Sequence, residues 1–571
     1  MCMRNFLQSC LGASLGNDQR QSQGNEYYEY WIALLPQKDV EQLVMVDESI
    51  KPAESDARIE HVAEKQIDLE ELGETSGYVV DLGLINTVPS AYGQLKTAAD
   101  GHTILIPQPS DDPVDPLNWS WARKHAILFT IAAIAFLPDY GSATGAVTLL
   151  PQAQIWGMSE DHVNHSQVGN VFMLGAGGLF VVALSAYFGR LPVLFWFTAT
   201  ALWTAAWCTA ATTFEPFMAA RILNGFFSTV AQGGGLMFIK DMFFFHEHAR
   251  KINIWAAFII LSPYFGPLIA AFIISTQKWQ WAFGVYTIET GLCLIAVVIF
   301  VDETFYDRKL PHEQRIPRKS KLQRLVGIEQ WRSRHQRSTF KQAVMRPVRV
   351  ICKPVVLLSS IYYMLTFAWD KLSLMPSINT TLAIFVTPLY GFGPRQIGFF
   401  YFTPVIGAIL GEICGHWLHD KVASVITRCN KGTFQPEYRL AAIWLSTPFI
   451  LTGLVMLGFA LENAWHYMVA AVGWGLYVFG IMITTVAITA YNLDAYPEGS
   501  GEVAAWINMA RTTGGFIISY FQMSWAQSQG TKRSFGIQAA VCLAGFFIVV
   551  FLQVYGAALR KRSGPLHFKT G

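Results

Sequence analysis

Twelve long runs of apolar residues constrain the fold of this chain more than any other feature of its sequence. A helix that crosses the hydrocarbon core of a bilayer needs about 20 mostly apolar residues. Runs of that kind lie near 126–150, 168–187, 191–212, 217–238, 254–275, 281–301, 354–388, 396–418, 441–461, 466–489, 503–525 and 536–558. Only 14% of the residues are charged, whereas soluble domains carry about 25%. We therefore predict an all-α polytopic membrane protein with 12 transmembrane helices.

The longest hydrophilic gap among these runs divides the chain in two. It covers 302–353 and follows the sixth run, which predicts two six-helix bundles joined by a basic central loop. Between Asp39 and Asp81 there are thirteen acidic and three basic residues, a composition that predicts a mostly disordered tail. The predicted parts are the acidic tail (1–120), the N-terminal bundle (121–301), the central loop (302–353), the C-terminal bundle (354–560) and a C-terminal tail (561–571).

The distribution of Lys and Arg predicts that both termini are cytosolic, because cytosolic loops of membrane proteins are enriched in these residues. The central loop alone holds fourteen of them. In this orientation the opposite side holds five bases, which are Lys278, Lys371, Arg395, Lys532 and Arg533. Asn164 begins an Asn-x-Ser sequon in the first external loop, and we predict that Asn164 is glycosylated.

Several stretches carry a resemblance to a known family. They read DDPVDPLNWSWARKH, RILNGFFSTVAQGGG, SPYFGPLIAA, GHWLHDK, PEYRL and YNLDAYPEGSGE. Together they resemble fungal members of the major facilitator superfamily, specifically its twelve-span drug:proton antiporter branch, over roughly 108–560. The resemblance implies two six-helix halves that alternate access to a central cavity, with proton coupling and export of a small molecule.

The resemblance also implies two motifs in the N-terminal half. Gly266 and Pro267 in the fifth run match the antiporter signature, and the pair also allows a helix to bend and pack closely. Of the family's charged motif between the second and third spans, Gly189 and Arg190 are present. Ala186 and Tyr187 replace its acid and base, which puts a charge-based gate in this half in doubt.

The equivalent loop of the C-terminal half keeps more charge, with Asp420 and Lys421 and then Arg439. Three acids lie on the next cytosolic turn, which are Asp494, Glu498 and Glu502. We expect Lys421 or Arg439 to pair with one of these acids when the cytosolic side is closed. A solvated charged rim is the alternative.

Asp139 lies beside a proline inside the first apolar run, in the stretch AFLPDYGSATGAV. A charge inside the membrane is costly, so it usually faces a polar cavity and a partner. At the rise of an α-helix, Asp139, Arg221 and Glu289 lie roughly 22, 20 and 18 Å above the cytosol. Because the family places the first and fourth spans around its cavity, the resemblance favours an Asp139–Arg221 pair that binds a proton or cargo. A buried pair that only tethers helices is the alternative.

Glu412 in the eighth run and Arg511 in the eleventh run lie roughly 10–14 Å above the cytosol by the same count. We predict a structural pair between them near the inner gate, which Asn508 could extend.

The seventh run is too long for one crossing. From Pro354 to Leu389 it would extend roughly 54 Å as a helix. We interpret Asp370–Ser377 either as a real break at Pro376 or as a read-through in the gene prediction. The aromatic residues of this half-span could offer π faces to a cationic cargo, or form a packed cluster, and they are Tyr362, Tyr363, Phe367 and Trp369.

These observations predict a proton-coupled secondary active transporter that exports a drug, a fungal metabolite or an organic cation. Proton-coupled uptake of polyamines or other organic cations is one alternative, and a nutrient sensor that signals through its tail is another. We expect a monomer in the plasma membrane, or the vacuolar membrane, whose partners are the cargo, protons and the bilayer. No enzymatic activity, cofactor, metal or nucleic acid is expected, since no cluster of His, Cys and carboxylates has metal-ligand spacing.

Overall fold

The computed structural model describes residues 96, 105, 107–308, 320–373, 389–429, 435–519, 530–566 and 568, and all regular elements in these residues are helical. The first half contains α1 (Trp121–Trp156), α2 (Glu160–Phe188), α3 (Arg190–Ala210), α4 (Phe214–Ser228), α5 (Val230–Met242), α6 (Phe245–Ile274) and α7 (Gln280–Phe300). The central segment contains α8 (Lys321–Val326), α9 (Ile328–Arg332) and α10 (Phe340–Ile351). The second half contains α11 (Pro354–Ser373), α12 (Pro394–Phe400), α13 (Phe402–Cys429), α14 (Ala442–Glu462), α15 (Tyr467–Ala495), α16 (Ser500–Ser519) and α17 (Thr531–Ser563).

The hydropathy of these helices confirms a multi-pass membrane protein. Within the described residues, ten helices or joined helix pairs are long and apolar enough to cross a bilayer, or eleven if the bent pair α10 and α11 is one span. The eleventh predicted run coincides with α16, which carries Glu502, Asn508 and Arg511 and is not among the ten. The count of twelve and the domain bounds therefore stay predictions, and the acidic segment 39–81 lies outside the described residues.

Close packing of the helices depends on glycines at their crossings. Gly266 in α6 lies against the backbone carbonyl of Tyr140 in α1, where there is no room for a Cβ atom. A Cβ atom on Gly233 would lie 2.8 Å from the Cα atom of Gly178. Small residues allow membrane helices to approach in this way. The predicted packing role of the Gly-Pro pair is thus present at Gly266, and Pro267 lies buried in the next position of α6.

The motif that precedes the first span is fixed by Asp115. Its carboxylate is fully buried and caps the short helical turn Pro116–Asn118 by accepting a hydrogen bond from the Leu117 N–H at 3.1 Å. Arg308, which follows α7, pairs with the same carboxylate at 3.1 Å. At the other end of the central segment, Lys353 donates to the backbone carbonyl of Ser563 at 2.6 Å. The lead-in, the central segment and the end of α17 therefore lie on one side, which we call the basic side.

The two halves contact each other along α2 and α16 and along α6 and α13. On the basic side, Lys240 donates to the Pro497 carbonyl at 2.9 Å, and Arg346 pairs with Glu502 at 2.6 Å. The first of these contacts joins the halves directly, and the second ties α10 of the central segment to the second half.

Candidate transport site between the halves

Asp139 lies at the interface between the two halves and is buried there. Its carboxylate oxygen Oδ2 accepts a hydrogen bond from Gln232 Nε2 of α5 at 2.8 Å. The same oxygen pairs with Arg511 Nη2 of α16 at 2.7 Å. Arg511 also donates to Asn508 Oδ1 at 2.9 Å. We call these four side chains, Asp139, Gln232, Asn508 and Arg511, the inter-half cluster.

Backbone contacts fix the inter-half cluster in place. Gln232 Nε2 also donates to the Ala135 carbonyl at 3.1 Å, one turn before Asp139 on α1. Asn508 Nδ2 donates to the Leu174 carbonyl of α2 at 3.4 Å. All four side chains are at least nine-tenths buried. A buried pair whose partner is removed leaves an uncompensated charge, which costs about 3–5 kcal/mol, so the cluster stabilises this arrangement of the halves.

The predicted Asp139–Arg221 pair is wrong. Arg221 instead donates to the backbone carbonyls of Gly141 at 3.2 Å and Ser142 at 2.9 Å, and to the side chain of Gln167. Counting residues along a helix does not give the direction of a side chain around the axis, and the heights were inexact as well, because the count put Asp139 and Arg511 roughly 8–12 Å apart although their side chains meet. Arg221 of α4 reaches α1 at Gly141 and Ser142, two and three residues after Asp139, yet the side chains of Asp139 and Arg221 have different partners.

Aromatic rings complete the surroundings of Arg221. Its guanidinium lies 5.2 Å from the ring centroid of Phe283 and 5.8 Å from that of Phe217. Ring faces attract a guanidinium, so Arg221 is held inside the first half by backbone carbonyls, an amide and aromatic rings.

Glu289 and Glu412 do not join the inter-half cluster. The Oε2 atom of each is buried and accepts no hydrogen bond from any described residue. Glu289 lies near Tyr140 and Cys293 within the first half. The predicted Glu412–Arg511 pair is wrong because Asp139 takes the guanidinium of Arg511.

The aromatic half of the seventh span is packed. Tyr363 is 1% exposed, its ring centroid lies 4.4 Å from that of Phe367, and its hydroxyl donates to Thr485 of α15 at 3.3 Å. This arrangement matches the alternative of a packed cluster. The side chain of Trp369 and the suggested break at Pro376 lie outside the described residues, although α11 continues as a helix to Ser373.

The loop predicted as a gate in the first half contains a charge network despite its altered motif. Arg190 pairs with Asp241 at the end of α5. Glu303 accepts hydrogen bonds from the backbone N–H groups of Arg190 at 3.2 Å and Leu191 at 3.3 Å, and from Gln330 Nε2 at 3.0 Å. Asp241 in the last turn of α5 and Glu303 after α7 therefore supply the negative charge that the motif itself has lost.

The second-half gate contains one of the expected pairs. Arg439 pairs with Asp494, as the sequence predicted for that combination. Lys421 is exposed on α13, and the side chain of Asp420 lies outside the described residues. That these groups act as a gate stays a prediction.

Sequence reasoning missed Gln232, Asp241, Glu303 and Arg346. Gln232 offered a signal, because it is a polar side chain beside three glycines in the fourth apolar run. The other three gave none, since Asp241 and Glu303 meet their partners only through folding and Arg346 is one of many bases in the central loop.

The predicted glycosylation of Asn164 does not agree with the structure. Asn164 lies within α2 and is 5% exposed. A glycan needs an accessible amide on a surface loop, which this position does not offer. The sequence predicted a loop at the sequon because the second apolar run begins near residue 168, whereas α2 already begins at Glu160.

Two helical halves with a charged polar cluster buried between them are the architecture of a secondary transporter. Residues 129–519 match the sequence profile of the Major Facilitator Superfamily, and the chain belongs to that family. Its relatives include the efflux pump radE of Floropilus chiversii, 24% identical over 466 residues that cover 79% of this chain and 84% of the relative. Another is the MFS-type transporter atr4 of Stereocaulon alpinum, 25% identical over 463 residues that cover 79% and 81%.

Solved structures agree on the fold. A D-xylose-proton symporter superposes with a TM-score of 0.54 at 16% identity, covering 74% of this chain and 97% of the symporter. At that identity the likeness shows the fold alone. The profile match confirms the resemblance to the superfamily, the fungal relatives support its efflux branch, and the chain is a transporter in a membrane.

Proposed function

We propose that this transporter is proton-coupled and exports a small organic molecule by alternating access, as a monomer in the plasma membrane. The observation that carries the proposal is the buried ion pair between Asp139 of the first half and Arg511 of the second. A charge pair across the interface is a group that a proton or a charged cargo can disrupt. Export is supported by relatives whose names describe efflux, such as radE.

The chemistry of the pair suggests how the coupling works. When Asp139 binds a proton, its charge is lost and Arg511 becomes an uncompensated buried cation. The attraction across the interface then falls, and the halves separate more easily on the basic side. Release of the proton restores the pair. Proton binding and closure of the basic side are therefore opposed. This opposition couples the two events, so that a proton gradient drives an exchange of protons for cargo.

Energised transport in inside-out vesicles tests this proposal. The chain and its Asp139→Asn variant would be compared across lipophilic cations, polyamines and neutral drugs, with an imposed proton gradient. We expect the gradient to drive accumulation of at least one compound in the parent and not in the variant. Glu215→Gln is the matched control, because Glu215 is an exposed acid at the start of α4.

Two results would contradict the proposal. An Asp139→Asn variant that inserts normally and still accumulates the compound would exclude Asp139 from the coupling path. Accumulation that ignores the proton gradient would exclude proton coupling altogether.

Uptake of organic cations is a second candidate. It is supported by Glu289 and Glu412, each of which has a buried carboxyl oxygen that accepts no hydrogen bond from described residues. A cation could use such carboxyls in addition to Asp139. Accumulation of polyamines by whole cells, with none in inside-out vesicles, would favour this candidate. Deleting residues 1–104 tests the sensor alternative, because a transporter without its tail should still move cargo.

A further inference from the structure

The short helix α10 lies across the basic side of the molecule. It precedes α11 after a break of two residues, and the two helices are bent by 71° relative to each other. At that angle α10 turns away from the axis of α11 and crosses toward α2 and α16, both of which it contacts. Thr339 caps its N-terminus by accepting a hydrogen bond from the backbone N–H of Gln342 at 3.4 Å, so α10 is a defined helix and not a continuation of the span.

The inner face of α10 contacts both halves of the transporter. Ala343, Pro347 and Val350 are buried against its neighbours, which are α2 of the first half and α16 of the second. Trp506 Nε1 of α16 donates to the Pro347 carbonyl at 2.7 Å. The ring centroid of Phe340 lies 5.6 Å from that of Tyr187 at the end of α2. We call α10 the strap because it joins the two halves.

The outer face of the strap is apolar and basic. Val344 and Val348 lie one turn apart on this face as an apolar stripe and are each 44% exposed, and Phe340 lies at the border of the two faces, since its ring is 55% exposed and also meets Tyr187. Two exposed bases, Lys341 and Arg349, lie on one side of this stripe, with the exposed side chain of Met345 between them. Exposed apolar side chains next to bases fit the boundary between acyl chains and anionic headgroups better than they fit water.

The preceding segment extends the same surface. Trp331 is 50% exposed on α9, and tryptophan is enriched at membrane interfaces. Arg332 and Arg334 beside it are also exposed. Trp196 Nε1 of the third span donates to the Val326 carbonyl at 3.2 Å, which keeps this part of the central segment at the level of the span ends.

We propose that the strap binds anionic phospholipid of the leaflet on the basic side, and that this binding holds the two halves together there. The apolar stripe enters the acyl boundary and Lys341 and Arg349 bind the headgroups. The inner face of the strap couples lipid binding to the position of the second half, because Arg346 pairs with Glu502 of α16 at 2.6 Å. The inference does not depend on the direction of transport or on proton coupling.

Thermal unfolding and native mass spectrometry in nanodiscs test the proposal without any cargo. Nanodiscs of phosphatidylcholine would be compared with nanodiscs that contain increasing phosphatidylserine. We expect phosphatidylserine to raise the unfolding temperature of the parent, with a smaller rise at high salt because salt screens the headgroup charge. Lys341→Gln with Arg349→Gln should weaken phosphatidylserine binding about thirtyfold, since each base near the surface contributes about a fivefold gain in affinity.

Matched variants separate the strap from general charge attraction. Lys561→Gln with Arg562→Gln removes two exposed bases from the last turn of α17 on the same side; it should weaken phosphatidylserine binding through general charge attraction but leave the rise in unfolding temperature close to that of the parent, because these bases are not on the strap. Arg346→Gln should keep lipid binding but lose most of the rise in unfolding temperature. Val344→Ser with Val348→Ser should weaken binding at every salt concentration.

The proposal is overturned if phosphatidylserine does not change the unfolding temperature of the parent. Equal losses of the rise in unfolding temperature in the two base-removal variants would also overturn it, because the stabilisation would then respond to net charge and not to the strap. A rise in unfolding temperature that survives Arg346→Gln unchanged would show that lipid on the strap does not act through the halves.

Discussion

Asp139 and Arg511 neutralise each other between the two halves, where both side chains are more than nine-tenths buried. The carboxylate also accepts a hydrogen bond from Gln232, and the guanidinium donates to Asn508. A buried charge that keeps its partner and its hydrogen bonds is tolerated, whereas a lone one is strongly destabilising. The energy of this pair therefore depends on the halves staying together.

Arg511→Gln tests that dependence through stability. The substitution leaves Asp139 buried without a cation, and we expect a loss of up to about 3–5 kcal/mol, limited by proton uptake at the carboxyl group. Asp139→Asn combined with Arg511→Gln removes both charges and should recover part of the loss. Thermal unfolding of the parent, both single variants and the double variant measures the coupling. Additive effects of the two substitutions would mean that the residues do not interact.

The partner of Asp139 illustrates what sequence spacing cannot predict. Heights along the spans placed Asp139 and Arg221 at one level, and the structure does bring Arg221 to the carbonyls of Gly141 and Ser142 nearby. Which side chains meet depends on the rotation of each helix and on the contact between halves. Arg511 is 372 residues away from Asp139 along the chain, and no local pattern records that contact.

Packing at the level of helices follows more directly from sequence. Hydropathy located the apolar runs because every backbone group inside a bilayer must be satisfied within a helix. Gly266 was predicted to allow close packing, and it lies directly against the α1 backbone at Tyr140. The ends of the helices were harder to predict, since α1 and α2 extend beyond their apolar runs. Asn164 lies in the part of α2 that precedes its apolar run, and therefore in a helix.

Gly266→Ala should disrupt the crossing of α6 over α1. An added methyl group has no space beside the Tyr140 carbonyl, so the helices must move apart at a cost of about 1–3 kcal/mol. Gly536→Ala is the matched control in α17, because a Cβ atom at Gly536 meets nothing within 4 Å. That substitution should be neutral or stabilise the helix by up to about 1 kcal/mol. The measurement is thermal unfolding in detergent, and equal effects at both glycines would contradict the packing argument.

At the scale of the whole molecule, the contacts between halves are of two kinds. On the basic side they include polar contacts such as the hydrogen bond from Lys240 to the Pro497 carbonyl, and the Arg346–Glu502 ion pair ties the central segment to the second half there. On the opposite side the ring of Phe272 meets that of Phe399, with centroids 5.3 Å apart. Alternating access requires the contacts on one side to open while those on the other side persist. The polar contacts on the basic side are the ones that a change of charge can regulate.

A reversible cross-link across the basic side tests whether those contacts must open. A Cβ atom on Gly501 of α16 would lie 2.9 Å from the side chain of Met237 in α5, so Met237→Cys with Gly501→Cys places two thiols close enough to form a disulfide on oxidation. We expect oxidation to abolish gradient-driven transport in the double variant and a reductant to restore it, because the halves cannot separate while bonded. The parent and each single cysteine variant, treated in the same way, control for the native cysteines. Full transport by a double variant whose disulfide is verified by peptide mass spectrometry would mean that the basic side does not open at α5 and α16, and that cargo takes another route.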